Sequence, residues 1–298
     1  LNKLLEFYKR EGVLNSTLDS FLGTSLPTTE YGINRFLGEA GSVSSLDPVR
    51  SGLDNSFLND WSVDSNEINN SIEAINEDFT FLEKDAIKFL EGAYALETPE
   101  DSISYYKGFS EHYDNIFAGT LKYNYPKRIA EEFFQNFNGG GNICDIGCGT
   151  GLVGNELKFL NPEIVIDGLD ISIEMINKAK EKNIYRNFYE VDLTKPINNI
   201  SNNYSAIISA GLFTHGHLGT KDLLNILLFS QNNVLLTIGV NAAHYREKGF
   251  EKILTELQYL SKIKMIKISK HPIYAKKPGT KNEENQTALI CTFIKIRN

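Results

Sequence analysis

Apolar residues change their spacing along this chain of 298 residues. Leu4, Leu5 and Tyr8 fall on one side of a helix over residues 1–14, and Ile68, Ile72, Ile75, Phe79, Leu82, Ile87 and Leu90 keep helical spacing across 67–96. Residues 15–65 between them are rich in Ser, Asn, Gly and Asp, with scattered hydrophobics and no sustained period, which predicts loops with short helices at most. So many apolar residues argue against simple disorder, so the first hundred residues read as a mainly helical extension capping something else.

After Pro99 the spacing alternates. Helices are predicted over 99–113 and 125–137, then a strand over 142–146, a helix from Leu152 and a strand over 164–170. Ser172 is placed to cap a helix through about residue 183; strands over 186–191 and 204–210, a helix over 221–230 and a strand over 234–239 follow. Residues 264–268 and 288–296 read as a closing antiparallel pair, joined across 278–291 by a loop that opens on Pro-Gly. Strand and helix alternating in this way build an α/β fold, a doubly wound and mostly parallel sheet with right-handed crossovers. The chain thus divides into a helical, loop-rich cap or lid over 1–98 and an α/β domain over 99–298.

Composition adds mainly exclusions. Hydrophobic residues at 41% and charged residues at 23% are those of globular proteins. The longest apolar runs, 207–213 and 234–240, fall far short of the roughly 20 residues of a membrane span, and no charged-then-apolar leader opens the chain. A cytoplasmic protein without a membrane partner is expected. Cys144, Cys148 and Cys291 are too few for a disulfide framework, and C-x3-C without a His cluster indicates neither zinc nor redox chemistry. The net charge of −8 is concentrated early: residues 1–100 hold 7 Lys and Arg against 18 Asp and Glu. Such a surface repels phosphate backbones, so no nucleic-acid partner is expected.

The stretch NICDIGCGTGLVGNELKFL, 142–160, carries two fingerprints at once. Gly149, Gly151 and Gly154 spell the dinucleotide signature G-x-G-x-x-G, whereas Asp145, Gly147, Gly149 and Gly151 spell D-x-G-x-G-x-G. The first strand-to-helix turn of a doubly wound sheet is the usual ligand site, and glycines there permit a sharp turn and close approach. An acid ending the strand beneath the loop is awkward for a pyrophosphate but suits a cationic amino group.

DIGCGTG followed by GLDIS, VDLT and SAGLFTHGHLG resembles the class I S-adenosylmethionine-dependent methyltransferases, in particular the methyltransferase-like group that includes the Williams-Beuren region protein. The similarity runs from about Pro99 to Ile296 and takes in YYKGFSEHYD and YNYP. It implies a Rossmann-like, seven-stranded sheet with an antiparallel C-terminal strand, and S-adenosyl-L-methionine as cofactor with S-adenosyl-L-homocysteine as product. By this resemblance Asp145, Gly147, Gly149 and Gly151 surround the methionine and ribose parts of the donor. Asp170, with Ile171 after it, takes both ribose hydroxyls, as a carboxylate does bidentately. Asp192 and Leu193 edge the adenine, Ala210 and Gly211 line the reaction side, and the segment bearing Tyr106 and Tyr113 folds over the donor. Asp167 is a competing acid in the strand of Asp170, but strand period puts Asp170 at the ligand-binding end. Asp192 could instead cap the next turn.

For the methyl acceptor, His217 matches the family pattern best as a general base and His215 second, with loop hydrogen bonding as the plainer role. Tyr123, Asn241, Tyr245 and Arg246 are candidate acceptor contacts, Arg246 in case the acceptor bears a carboxylate. The Asn-Pro-Pro-aromatic signature of base and glutamine methylation is absent, SAGL standing in its place. The expected activity is in-line transfer of a methyl group to O, N or S of a small molecule, with no metal. A nicotinamide-dependent dehydrogenase and a non-catalytic binding protein are the alternatives. The acidic first third is a lid, a homodimer contact or a recognition module.

Overall fold

The computed structural model describes residues 84–198, 200–275 and 286–297, all within the compact unit Phe81–Asn298. The expected helix over 1–14, most of that over 67–96, the loop-rich stretch between them and most of the 278–291 connection lie outside the described residues.

Helix α1 spans 84–94 and α2 spans Pro99–His112, continuing into a π-helical turn, Tyr113–Gly119; α3 is Tyr125–Phe134. Then β1 (Asn142–Ile146), α4 (Leu152–Leu160), β2 (Val165–Asp170), α5 (Ile173–Glu181) and β3 (Asn187–Glu190) alternate. The chain continues through β4 (Ala206–Phe213), α6 (Thr220–Phe229), β5 (Leu235–Asn241), α7 (Ala242–Glu247), α8 (Phe250–Tyr259), β6 (Ile263–Pro272) and β7 (Thr287–Lys295). The seven strands lie in the order β3-β2-β1-β4-β5-β7-β6. The first five are parallel, and β7 runs antiparallel to both neighbours. This is the mostly parallel, doubly wound α/β sheet that the alternation predicts.

Successive side chains of a strand point to opposite faces, and both faces of this sheet are covered. Ile143, Ile166 and Ile208 enter a core with Ala86 and Leu90 of α1, Ile129 and Phe133 of α3, and Leu157 of α4. Cys144, Ile146, Ile207 and Leu236 enter the other core with Leu223 and Ile226 of α6 and Phe250 and Leu254 of α8. The described part of the extension, α1, therefore shares a core with the sheet. Helix starts follow the local chemistry. Thr98 and Asp101 form a reciprocal capping box at α2, and Ser172 Oγ accepts the Met175 N–H at α5.

Two helices depart from the expectation. Asn241 accepts the N–H groups of Ala243 and His244 at 3.0 and 3.2 Å and so starts α7, and Gly249 at φ +69° starts α8. All three cysteines are buried and free. No described helix is long and apolar enough to cross a membrane.

Candidate functional site

At the carboxyl ends of β1 and β2 the chain turns three times through left-handed backbone, at Gly147 (φ +66°), Gly149 (φ +53°) and Gly151 (φ +87°). L side chains rarely adopt these angles. The Gly147 and Cys148 N–H groups both donate to the Leu169 carbonyl, at 2.7 and 3.0 Å, which ties the loop to the end of β2. The Gly149 N–H donates to Asp170 Oδ2 at 2.8 Å, and the Ser172 N–H to Oδ1 at 2.9 Å. The carboxylate still has acceptor capacity beyond these backbone donors, so Asp170 is oriented without being used up. Burial pushes its pKa up, against three backbone hydrogen bonds that pull it down.

Asp170 looks into a cavity of about 190 Å³. Gly147, Gly149, Ile171, Asp192, Leu193 and Ala210 line it, as do Tyr106 and Tyr113 of the α2 segment. Glu97, Thr98, Pro99 and Ser102 at the start of α2 also face it, a contribution the sequence reading missed although the Thr98 capping box was visible as T-P-E-D. Among the described residues that line it, Glu97, Asp170 and Asp192 contribute carboxylates and there is no Lys or Arg. Asp192 also performs the turn role weighed for it. Its Oδ1 accepts from the Thr194 N–H at 3.0 Å and hydroxyl at 2.6 Å, and its Oδ2 pairs with Lys195 at 2.8 Å. Burial raises its pKa, but those bonds outweigh it and leave the net shift downward.

Asp145 and Gly151 do not line this cavity. Asp145 shares the β1 face of Ile143 and is fully buried; Tyr185 donates its hydroxyl to Oδ2 at 2.7 Å, while Oδ1 has no hydrogen-bond partner in the fold. Burial dominates and raises its pKa to about 7. The same Tyr185 oxygen accepts the Gly154 N–H at 3.2 Å. A Cβ on Gly154 would sit 2.3 Å from that oxygen and 2.4 Å from Cζ. The third glycine of the apparent dinucleotide signature therefore makes room for a tyrosine, and its N–H is spent on a phenol. Asp114 of the π-helical turn reaches the same loop, accepting from Thr150 Oγ1 at 2.5 Å and from Lys182 Nζ at 2.6 Å. Asp167, the competing acid, is consumed by Arg186 (3.0 and 2.7 Å), Asn187 and Tyr204.

A second cavity, about 60 Å³, lies beside the first and shares Tyr106, Tyr113, Gly211 and His217 with it. Its register begins at β4, whose pairing with β5 slips between Ser209 and Phe213, and Gly211 takes φ +78° within that irregularity. A Cβ on Gly211 would lie 3.0 Å from Tyr123 Oη. Tyr123 and Asn241 line this chamber together with Tyr94, Phe117 and Tyr274, and among the described residues neither Lys, Arg, Asp nor Glu does. Ring centroids of Tyr123 stand 5.6 Å from Phe117 and 5.7 Å from Tyr274. Burial raises the hydroxyl pKa of Tyr94 to about 12 and lifts those of Tyr113, Tyr123 and Tyr274 as well.

Of the two loop histidines only His217 faces the cavities. His215 turns away to Glu247, Nε2 to Oε2 at 3.3 Å, and its ring lies 5.5 Å from that of His244. Tyr245 and Arg246 reach neither cavity. Because residues 242–247 are a helix, Tyr245 stacks on Phe250 at 5.8 Å in the opposite core, and Arg246 lies largely exposed, 3.7 Å from Glu247. No group of residues able to hold a metal occurs among the described residues.

Comparison with known proteins adds to this geometry. Over 93 residues the chain is 34% identical to the ribosomal RNA small subunit methyltransferase C of Aliivibrio fischeri, an alignment taking in 28% of this chain and 26% of that one. Over 181 residues it is 26% identical to the release factor glutamine methyltransferase of Staphylococcus aureus, covering 53% and 63%. The chain thus spans about a quarter of the length of the ribosomal RNA relatives it matches. The solved magnesium protoporphyrin IX methyltransferase of Synechocystis, with bound S-adenosylmethionine, aligns over 67% of this chain and 98% of its own at 15% identity, with a TM-score of 0.48. Residues 143–258, the stretch from β1 into α8 that carries the glycine loop, Asp170 and His217, match the family model of a methyltransferase domain.

Proposed function

We propose that the protein is an S-adenosylmethionine-dependent methyltransferase acting on a small-molecule acceptor. The observation that carries this reading is the larger cavity, whose wall among the described residues holds Glu97, Asp170 and Asp192, the last paired with Lys195 outside the lining, and neither Lys nor Arg. That wall favours a cationic nucleoside and repels a pyrophosphate. A nicotinamide cofactor would also need the first turn of α4 for its phosphates, and there Tyr185 holds Gly154 while Asp114 holds Thr150.

The residues fit the donor. Asp170, held by the two backbone N–H groups, would accept the ribose hydroxyls with its remaining lone pairs. Gly147 and Gly149 keep the backbone open to the methionine part; Ile171 and Leu193 offer apolar surface to the adenine and Asp192 an edge. Asp145 would act through the loop instead of by contact. When bound, S-adenosylmethionine supplies a methyl group on a sulfonium, open to in-line displacement. Tyr106, Tyr113, Ala210 and Gly211 would orient that methyl toward the smaller cavity and exclude water.

The acceptor would enter the smaller cavity, where Tyr123 and Asn241 are contacts. The ribosomal RNA relatives raise a nucleic-acid acceptor for comparison. A chain of net charge −8, and a chamber without a lining cation, favour a small molecule instead. Kinship with the Williams-Beuren region group rests on the motifs DIGCGTG and SAGLFTHGHLG. Calorimetric titration tests the donor: micromolar or tighter S-adenosylhomocysteine with no NAD(H) uptake is expected, and the reverse pattern refutes it. Incorporation of labelled methyl from the donor into a metabolite extract tests turnover, and its persistent absence would favour a non-catalytic binder.

A further inference from the structure

Two neighbours fix the tautomer of His217. Its Nδ1 lies 2.9 Å from the His215 carbonyl oxygen, an atom that only accepts, so Nδ1 carries the proton. Burial pushes the His217 pKa below its ordinary 6.5, which keeps the ring neutral and leaves the lone pair on Nε2. The Tyr106 hydroxyl, 3.1 Å from Nε2, is therefore the donor of that hydrogen bond. Having given its own proton to this bond, the Tyr106 oxygen retains lone pairs to accept another. Both residues line both cavities, so the pair stands on the boundary between donor and acceptor.

The smaller cavity constrains what meets that oxygen. Among the described residues its polar lining consists of tyrosine hydroxyls, Thr214, Asn241 and His217, with no charged side chain to compensate an ion. Desolvating an unpaired charge there is costly. At about 60 Å³ the cavity is also less than half the roughly 150 Å³ that takes up benzene, so a group of a few heavy atoms fits.

We infer that Tyr106 and His217 form a proton relay serving an uncharged hydroxyl acceptor, an inference that rests on the methyltransferase reading. The acceptor oxygen forms its bond to the methyl carbon as the carbon–sulfur bond breaks and that electron pair goes to sulfur. The acceptor's proton passes to the Tyr106 oxygen while the Tyr106 proton passes to His217 Nε2. A methyl ether, a thioether and an imidazolium result, and the single positive charge has moved from sulfur to the ring. The His215 carbonyl still accepts the Nδ1–H of that imidazolium. Burial holds the Tyr106 phenol far above its ordinary pKa, so the two transfers are coupled and no free phenolate forms.

Nitrogen-15 NMR of histidine-labelled protein saturated with S-adenosylhomocysteine reads the arrangement directly. His217 is expected with Nδ1 protonated and Nε2 bare, and Tyr106→Phe should shift the Nε2 resonance while leaving the Nδ1–H in place. A protonated Nε2 in the neutral ring, or no response to Tyr106→Phe, overturns the relay. Failure of S-adenosylhomocysteine to bind is a different outcome and removes the methyltransferase reading itself. Ethanol, acetate and ethylammonium, similar in size and added at equal concentration, then test the acceptor class. Ethanol should shift the His217 signal and the two ions should not, with His271, outside both cavities, as the reference. A null response to ethanol, or a larger one to either ion, overturns the uncharged acceptor.

Discussion

The two adjoining cavities differ in how they handle charge. Among the described residues the larger is walled by backbone turns and the carboxylates of Glu97, Asp170 and Asp192, and the smaller by aromatic rings and hydroxyls without an acidic or basic side chain other than His217. A positive sulfonium is welcome on one side of Tyr106 and His217, and an ion of either sign is penalised on the other. Donor selection would therefore come from electrostatics, and acceptor selection from desolvation and size.

Substitutions on either side of that boundary should separate the two. The largest effect is expected at the boundary itself. His217→Ala should lower kcat about a hundredfold or more, the range for a lost general base, with donor affinity nearly unchanged. An unaltered rate would assign His217 to positioning alone. The downward pKa of His217 also places the acid limb of kcat/KM below pH 6.5, since the neutral ring is the active form. A limb above 6.5 would contradict this. On the charged side, Asp170→Ala should weaken S-adenosylhomocysteine by about 1.5–3 kcal/mol, the worth of hydrogen bonds to a charged group. Calorimetry would show it, and acceptor KM should not move.

Behind the loop the effects are structural. Gly154→Ala should cost roughly 1–3 kcal/mol in denaturant unfolding, because the new methyl collides with the Tyr185 ring, and Gly154→Ala with Tyr185→Leu should recover part of it. The last effect belongs to Asp145 and depends on pH. Its folded pKa of about 7 lies above the ordinary 3.8 of an aspartate, so between those values the folded state holds a proton that the unfolded state loses. Stability from this group is thus complete below about pH 4 and declines as pH rises toward 7. Asp145→Asn should raise the melting temperature more at pH 8 than at pH 5, and equal gains would dispose of the shift.

Where an element depends on its own residues, the sequence is readable. The apolar run at 142–146 and the Ser172 cap give β1 and the start of α5 directly. Helices α7 and α8 are hidden because the segment 241–250 follows directly on a strand and opens without a conspicuous apolar run. The Asn241 cap and the spacing of Phe250, Leu254 and Leu257 carry the signal. Without those helices Tyr245 and Arg246 read as site residues, whereas helical geometry turns them elsewhere. The site residues nearest the glycine loop, such as Asp170 and Gly149, were legible because the loop fixes them locally. Contacts across 31 to 40 residues, such as Tyr185 with Gly154 and Asp145, depend on how the approach to β3, beyond β2 in the sheet, brings Tyr185 back onto β1 and α4, which no local pattern encodes.

The Tyr185–Gly154 fit has a bearing on how the loop tolerates change. With this tyrosine in place, any bulkier residue at position 154 carries a stability cost unless the ring gives way, so the two positions constrain one another. The third glycine of the nucleotide-binding string then answers to the ring at position 185, with no ligand needed to account for it.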